Sequence, residues 1–557
     1  MESDVRHQRA AAWERLGTET FDLVIIGGGV IGAGAARDAA LRGLRVAVIE
    51  ADDIGSGTSS RSSKLIHGGL RYLEQGDLSL VFESVSERRI MMQLAPHLVR
   101  PLGFLFPIYT HAPVALTTLR LGLMVYEGLA LFRSPKLHKT WSKKRLAKEI
   151  PLLETKELRG GPLYYDCMTD DARLTLETLL DAERAGAVVL TYARATKLHH
   201  GENGRIEAVS VRDGFGRLAD VRVRAGVVLN ATGPWSDRVR SLGGKDSHQL
   251  RCTKGVHIVL PADRIPLPHT IVCFHPKDQR VLFIIPWADQ VYVGTTDTDY
   301  EGDPAEVAAD RADIDYLLEA VAAYFPTVKF EPHEITSTWA GLRPLIRAEG
   351  VAPSQVSREH VITVDDDGLV SIAGGKLTTH RRMGAEVVDA TVEVMKRHGH
   401  EHPELKVVNT AQLKLPGALD WPAGGVADVA RQVAEAGNGR LDEKTCAYLA
   451  DRYGTRAVAL ARLAASEQRL SQPLVPGRPE ILAQVDWAVT TEHARTVTDV
   501  LERRTQLYFR DTHQGLGAVS VVGERMAELL GWSDEERAAS ERRYQDEVAR
   551  SRAWRRE

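Results

Sequence analysis

The chain has 557 residues, of which 43% are hydrophobic and 26% charged, and 71 Lys plus Arg against 75 Asp plus Glu leave a formal net charge of −4. At roughly 150 residues per domain this is material for two to four domains with ordinary cores, which excludes disorder, collagen-like repeats and small disulfide scaffolds. The balanced charge gives no bulk attraction for nucleic acid, and the scattered Cys167, Cys252, Cys273 and Cys446 offer neither a disulfide framework nor a thiolate metal site, which suits a reducing cytoplasm.

Residues 1–20 read as a polar extension, a short helix without the apolar core of a secretory signal. From Phe21 the run FDLVIIGGGVIGAGAARDAALRGLRVAVIE gives strand, glycine turn, helix and second strand. The loop TSSRSSKLIHGGLRYLEQGD follows, then a helix from Leu78 to about Leu94. An insertion over 111–165 contains the apolar stretch Pro113–Phe132, but Arg120 and Glu127 interrupt it, so no transmembrane span is predicted. Arg133, Lys136, Lys139, Lys143, Lys144, Arg145 and Lys148 come next, with no acid between 133 and 148. This is either a solvated face or an amphipathic segment resting on anionic lipid.

TDDARLTLETLLDAERAG predicts a helix capped at Thr169 or Asp170, with Asp170 and Asp171 as cap and dipole partners rather than an acid–base pair. The strand AVVLTYARATKL, a polar hairpin around Gly201–Gly216 and the strand AGVVLNATGPW follow. TKGVHIVLP, RVLFIIPW and VYVGTTD alternate like an antiparallel sheet. SIAGGKLTTHRRMGAEVVDATVEVMK returns to strand, glycine turn and helix, and from Ala411 onward Ala, Arg, Glu and Leu recur at helical spacing. The expected division is thus a nucleotide-binding domain over 21–110, 166–245 and 341–400, a substrate or cap domain over 111–165 and 246–340, and a separate helical domain over 411–557.

Gly27, Gly29 and Gly32 form GxGxxG between strand and helix. The first permits the tight turn, the second lets backbone approach a pyrophosphate, and the third lets the helix pack closely. Glu50, 18 residues beyond Gly32 at the end of the second strand, is placed to accept from ribose hydroxyls. Ala231, Thr232 and Gly233 are small enough for backbone to pass a flat ring or its ribityl chain. Gly374 and Gly375, with Leu377 and Thr378 at the helix opening, make a third glycine turn that can stabilise negative charge on a reduced flavin. Three such turns in this order favour FAD, held along its whole length, over NAD.

GTSSRSSKLIHGGLRYLE (57–74), TDDARL, NATGPW, KGVHIVLP, IPW with GTTD, GLRPL and AGGKLTT together resemble the FAD-dependent, respiratory glycerol-3-phosphate dehydrogenases, in order from about residue 20 to 385. The resemblance implies an α/β architecture: a D-amino-acid-oxidase-like FAD-binding fold with its Rossmann-type βαβ unit, an antiparallel-sheet substrate domain and a C-terminal helical domain. It further implies noncovalent FAD, oxidation of glycerol 3-phosphate to dihydroxyacetone phosphate, a membrane quinone as electron acceptor and a homodimer, while the cysteine usage and the basic run add the expectation of a cytoplasmic protein peripheral on the inner membrane face.

The residues fit that chemistry. A phosphomonoester dianion calls for several cations, and Arg71, Arg343 and Lys376 each sit inside one of the distinctive segments. By resemblance they line the substrate site, Arg71 and Lys376 on the phosphate, with Tyr72 as a further donor. His257, on a sheet strand, has the ring to take the hydroxyl proton while flavin N5 takes the hydride, and Arg343 can lower the alcohol's pKa. Thr58, Ser59, Ser62, Ser63, Lys64 and His67 are expected to line the flavin loop. Rival readings are an oxidase of the same scaffold that uses oxygen on glycerol 3-phosphate or an amino acid, and a non-catalytic flavin-bearing scaffold. Three candidate cations speak against an amino acid, whose carboxylate needs mainly one bidentate Arg.

Overall fold

The computed structural model describes residues 2–70, 73, 77–245, 247–347, 359–400 and 405–556. The N-terminal segment is helical over Glu2–Thr18. It is docked rather than extended: Trp13 and Leu16 are buried, Trp13 Nε1 donates to the Ala219 carbonyl, and Arg9 pairs with Asp213 at 2.8 Å.

Two sheets organise the described residues. In the first, of eight strands, Thr20–Ile26 lies centrally between Val46–Ile49 and Val221–Asn230, with Val188–Leu190 and Val370–Gly374 outside them, all parallel. Such strands read as unbroken apolar runs because both faces are covered. Helices Val30–Leu41, Asp171–Arg184 and His380–Arg397 supply part of that cover, sharing a core with Leu23, Ile25, Val48, Leu229 and Ile372. The stretch 187–198, expected as one strand, is divided. Val188–Leu190 closes the parallel array, Tyr192 turns into the left-handed region at φ 52°, and Ala193–His200 begins an antiparallel meander with Ile206–Asp213 and Val221–Asn230.

The second sheet has eleven strands, all antiparallel pairings except Thr270–Phe274 with Arg100–Leu105. Near one edge, its strand Leu250–Pro261 pairs with Gln290–Gly294 on one side and the edge strand Ser337–Ile346 on the other. Leu65–Ile66, Arg100–Leu105 and Ile108–Tyr109, expected in the nucleotide-binding segment 21–110, are strands of this sheet, and so is all of Ser337–Ile346, which crosses the expected boundary at 341. Their partners lie far away in sequence, so local pattern gives no sign of them.

Beyond Thr410 the chain is helical from Val426–Ala436 to Asp534–Ser551. This region shares its core with the second sheet: Trp287, Tyr292 and Trp339 belong to the same buried cluster as Leu507, Phe509 and Tyr544. It also clasps the first sheet, where the buried Asp53 receives Arg503 at 2.5 Å and Arg504 at 2.7 Å. Burial opposes ionisation of Asp53, yet Arg504 and Arg503 bring its carboxyl down to about 2.

Candidate active site

The cofactor side is built from backbone. Gly27 has φ 110°, and a Cβ there would lie 2.6 Å from the Ala231 carbonyl oxygen; a Cβ on Gly32 would lie 2.0 Å from the Gly27 carbonyl oxygen. Only glycine allows the helix to start this close to the strand ends. Gly29 is the N-cap of Val30–Leu41 and carries no side chain to cap it, and the Val30 amide is met by Ser59 Oγ at 2.9 Å. Amides at this end suit a pyrophosphate. Glu50 accepts from the amides of Gly28 at 2.6 Å and Asp52 at 2.8 Å. Burial outweighs those bonds and raises its carboxyl to about 7, so it is an acceptor that gains from the hydroxyl donors of a ribose. Thr232 is steadied by Asn230, to which its hydroxyl donates at 2.6 Å, and Gly233 at φ 54° turns the chain away. Gly374 and Gly375, at φ 79° and 84°, lead through Lys376 and the turn Leu377–Thr379 into the helix from His380. These features fit a dinucleotide that carries a second ring system toward the second sheet.

The loop from Thr58 to Gly68 joins the two sheets. Thr58 Oγ1 donates to the Leu342 carbonyl at 2.7 Å. The His67 amide and carbonyl both engage Thr378 Oγ1, each at 3.2 Å, so the HGG strap lies on the late glycine turn. Two loop side chains are held by a protein carboxylate. Lys64 directs its ammonium to the buried Asp171 at 2.7 Å, and Ser62 Oγ donates to the same carboxylate at 2.7 Å. An unsatisfied charge at this depth would cost several kcal/mol, so both side chains fix the loop. Asp170 is the N-cap, accepting from the Arg173 amide. Asp171 is more than a dipole partner: it anchors the flavin loop.

On the substrate side, His257 is buried and its Nε2 lies 2.9 Å from Ser63 Oγ. The ring stacks on Trp339 at 4.6 Å and 10°, and among the described residues Nδ1 has no hydrogen-bond partner. Burial first, then Arg343 and Lys64, hold the imidazole well below 6.5. It is neutral at physiological pH and able to accept a proton. Arg343 sits on the neighbouring strand. Its Nη1 meets Asp297 at 3.1 Å, and its Nη2 donates to Thr295 Oγ1 at 3.0 Å and to the Thr296 carbonyl at 3.2 Å. Lys376 is half-buried on the late glycine turn. Arg71 and Tyr72 lie outside the described residues.

Four further residues belong to this arrangement. A Cβ on Gly255 would lie 2.4 Å from Arg343 Nη2, and one on Gly294 would lie 2.0 Å from His257 Cδ2. The two glycines are therefore the hollows in which the guanidinium and the imidazole lie. A glycine inside an apolar strand is the sequence sign of such a close approach. Asp297, in GTTD, and Asp171, the second acid of TDDARL, carry no sign beyond charge.

Residues 22–388 match the family described as FAD dependent oxidoreductase, and residues 408–537 match the C-terminal domain of alpha-glycerophosphate oxidase. Glycerol-3-phosphate dehydrogenase 2 of Mycobacterium tuberculosis is 40% identical over 529 residues, which is 94% of this chain and 88% of that protein. The aerobic glycerol-3-phosphate dehydrogenase of Staphylococcus saprophyticus is 36% identical over 530 residues, 94% and 93% of the two chains. The solved structure of glycerol-3-phosphate dehydrogenase from Bacillus halodurans, complexed with FAD, superposes with a TM-score of 0.81 at 30% identity over 98% of each chain. The glycine cradle, the half-buried Glu50 and these likenesses together place the chain in the FAD-dependent oxidoreductase family, among relatives named glycerol-3-phosphate dehydrogenases.

Proposed function

We propose that the chain oxidises sn-glycerol 3-phosphate at C2 to dihydroxyacetone phosphate and delivers the electrons to a membrane quinone. The observation that carries this reading is the placing of a neutral buried imidazole, His257, beside a fixed cation, Arg343, against the loop that joins the FAD cradle to the second sheet. Bound FAD supplies a hydride acceptor at N5. His257 takes the hydroxyl proton, and its low basicity is offset when a dianionic ester enters and favours the imidazolium. Arg343 stabilises charge developing on the substrate oxygen. Lys376, with Arg71 and Tyr72 from the HGGLRY segment, holds the phosphate. The relatives' names support this substrate, and the engagement of Arg343 by Asp297 and Thr295 disfavours a carboxylate gripped by the full guanidinium fork.

The acceptor is reached from a membrane surface. Helix Leu116–Leu129 turns Tyr126 and Glu127 inward but exposes Leu121, Met124 and Val125; Leu131, Phe132 and Leu137 continue the patch, and Leu78 and Phe82 extend it from helix Leu78–Leu94. The cations from Arg133 to Lys148 are exposed beside it. An apolar face ringed by Lys and Arg rests on anionic lipid, here the cytoplasmic leaflet, and among the described residues no helix is long and apolar enough to cross it. Peroxide yield measured against reduction of a soluble quinone analogue, both with glycerol 3-phosphate, tests the acceptor. Quinone reduction with little peroxide is expected, and stoichiometric peroxide would replace the dehydrogenase reading by an oxidase.

A further inference from the structure

We infer that Phe509, contributed by the C-terminal helical region, is a positioning residue for His257 and acts through Trp339. The inference rests on the reading of His257 as the base. Strand Ser337–Ile346 places residues 337, 339, 341 and 343 on one face, because side chains alternate along a strand. Each member of that face has a distinct contact. Ser337 Oγ donates to the Phe509 carbonyl at 2.8 Å, Trp339 stacks on His257, Gly341 lies against the Arg61 backbone, and Arg343 reaches Asp297. The opposite face is tied to the same helical region, since Thr338 Oγ1 donates to the Ser551 carbonyl at 2.9 Å.

Phe509 then closes the back of the site. Its ring stands edge-on to Trp339 at 5.5 Å and 75°, and lies 6.4 Å from Trp287. Lys64 Nζ is 5.2 Å from the Phe509 ring and 5.3 Å from Trp339, so the two rings box the ammonium that fixes the flavin loop. Trp339 Nε1 donates to the Ser62 carbonyl at 3.2 Å, one residue before the serine that meets His257. Remove the Phe509 ring and Trp339 loses the wall that keeps it flat on the imidazole, while water gains a route to the buried pair. A displacement of about 1 Å at a reacting group costs on the order of a hundredfold in rate. The charged and titratable groups facing His257 are Lys64 from the flavin loop, Arg343 from the adjoining strand and Tyr292 from the strand on the other side, with Asp171 behind Lys64 and Asp297 behind Arg343. Phe509 adds no charge, so its effect on the imidazole is exclusion of water.

The test is anaerobic reduction of the FAD holoenzyme by glycerol 3-phosphate, with rate and half-saturation followed from pH 4.5 to 8. In wild type the ratio of rate to half-saturation, which reports the free imidazole, falls on a limb well below pH 6.5 apart from the phosphate's own ionisation, and His257→Ala, by abolishing that limb, assigns it. Phe509→Leu is expected to slow reduction roughly tenfold to a hundredfold, to change half-saturation little, and to move the limb up toward 6.5. Ser337→Ala, which removes only the hydrogen bond to the Phe509 carbonyl, shifts rate and limb in the same direction by less, and stands if Phe509→Leu does not fold. A wild-type rate with an unmoved limb in either variant overturns the positioning role of Phe509 and leaves the base assignment intact. Retention of the limb in His257→Ala overturns the base assignment and this inference with it.

Discussion

The two sheets make their halves of the site by different means. On the proposed reading the parallel sheet offers its ligand mainly backbone: Gly27, Gly29, Gly32, Gly374 and Gly375 shape the turns, and Glu50 is the main side chain. The antiparallel sheet uses side chains, each seated by a neighbour: His257 in the hollow of Gly294 and flat on Trp339, Arg343 in the hollow of Gly255 and tied to Asp297. The GxGxxG part of that cradle is specified over some 30 consecutive residues. A side-chain site needs several strands and, here, a distant helical region. The first half should therefore fail by losing cofactor, the second by losing chemistry while the protein stays yellow.

The largest effects should separate the halves most cleanly. Arg343→Gln should lower kcat/KM by about 3–5 kcal/mol, the range for truncating one partner of a buried charge pair, with FAD content unchanged; an unaltered kcat/KM would remove Arg343 from the site. Asp53→Asn leaves Arg503 and Arg504 facing a neutral amide, and should cost about 3–5 kcal/mol of stability in urea unfolding. The same clasp sets an acid limit. The folded carboxyl lies near 2, below its ordinary 3.8. Its contribution is complete above about pH 4 and lost as pH falls toward 2, and a protein equally stable at pH 5 and pH 2.5 would contradict it.

Glu50→Gln sharpens the comparison from the cofactor side. The Glu50 carboxyl is raised from 4.5 to about 7 in the ligand-free fold, so its ionisation opposes folding, increasingly from pH 4.5 upward and fully above 7. The glutamine apoprotein should lose that decline, while FAD affinity measured by flavin fluorescence falls about tenfold or more, as one charge-assisted ribose bond is weakened. Equal affinity would show that the ribose is held elsewhere. The smallest effect on catalysis is expected at the surface. Neutralising Lys143, Lys144 and Arg145 should weaken salt-sensitive binding to anionic vesicles and leave turnover with a soluble dye untouched; binding that persists would make the cationic run a solvated face.

The same contrast explains what was legible in the sequence. GxGxxG, Glu50, NATG and AGGK are contiguous signals, and the structure gives each a turn or helix opening. The helix Leu78–Leu94 and the Asp170 cap are local as well. The break at Tyr192 was hidden because a left-handed residue inside an apolar run leaves no mark when it is not glycine. The flavin loop was legible as a loop but not in the direction of its side chains. Lys64 and Ser62 turn to Asp171, more than 100 residues away, and no spacing rule links them. Phe509 and Trp339 read only as apolar residues until the fold brings them together. His257 and Arg343 were found through the distinctive segments around them; that Asp297 aims Arg343 and Trp339 seats His257 is tertiary information.

In the proposed reaction an imidazole and a guanidinium on adjacent strands hold a phosphorylated secondary alcohol against FAD. Anaerobic addition of sn-glycerol 3-phosphate to the yellow protein tests it most directly. Rapid, saturable bleaching of the flavin's visible band is expected, slowed by orders of magnitude in His257→Ala and Arg343→Gln. A flavin that stays oxidised with glycerol 3-phosphate yet bleaches with a D-amino acid would contradict the account.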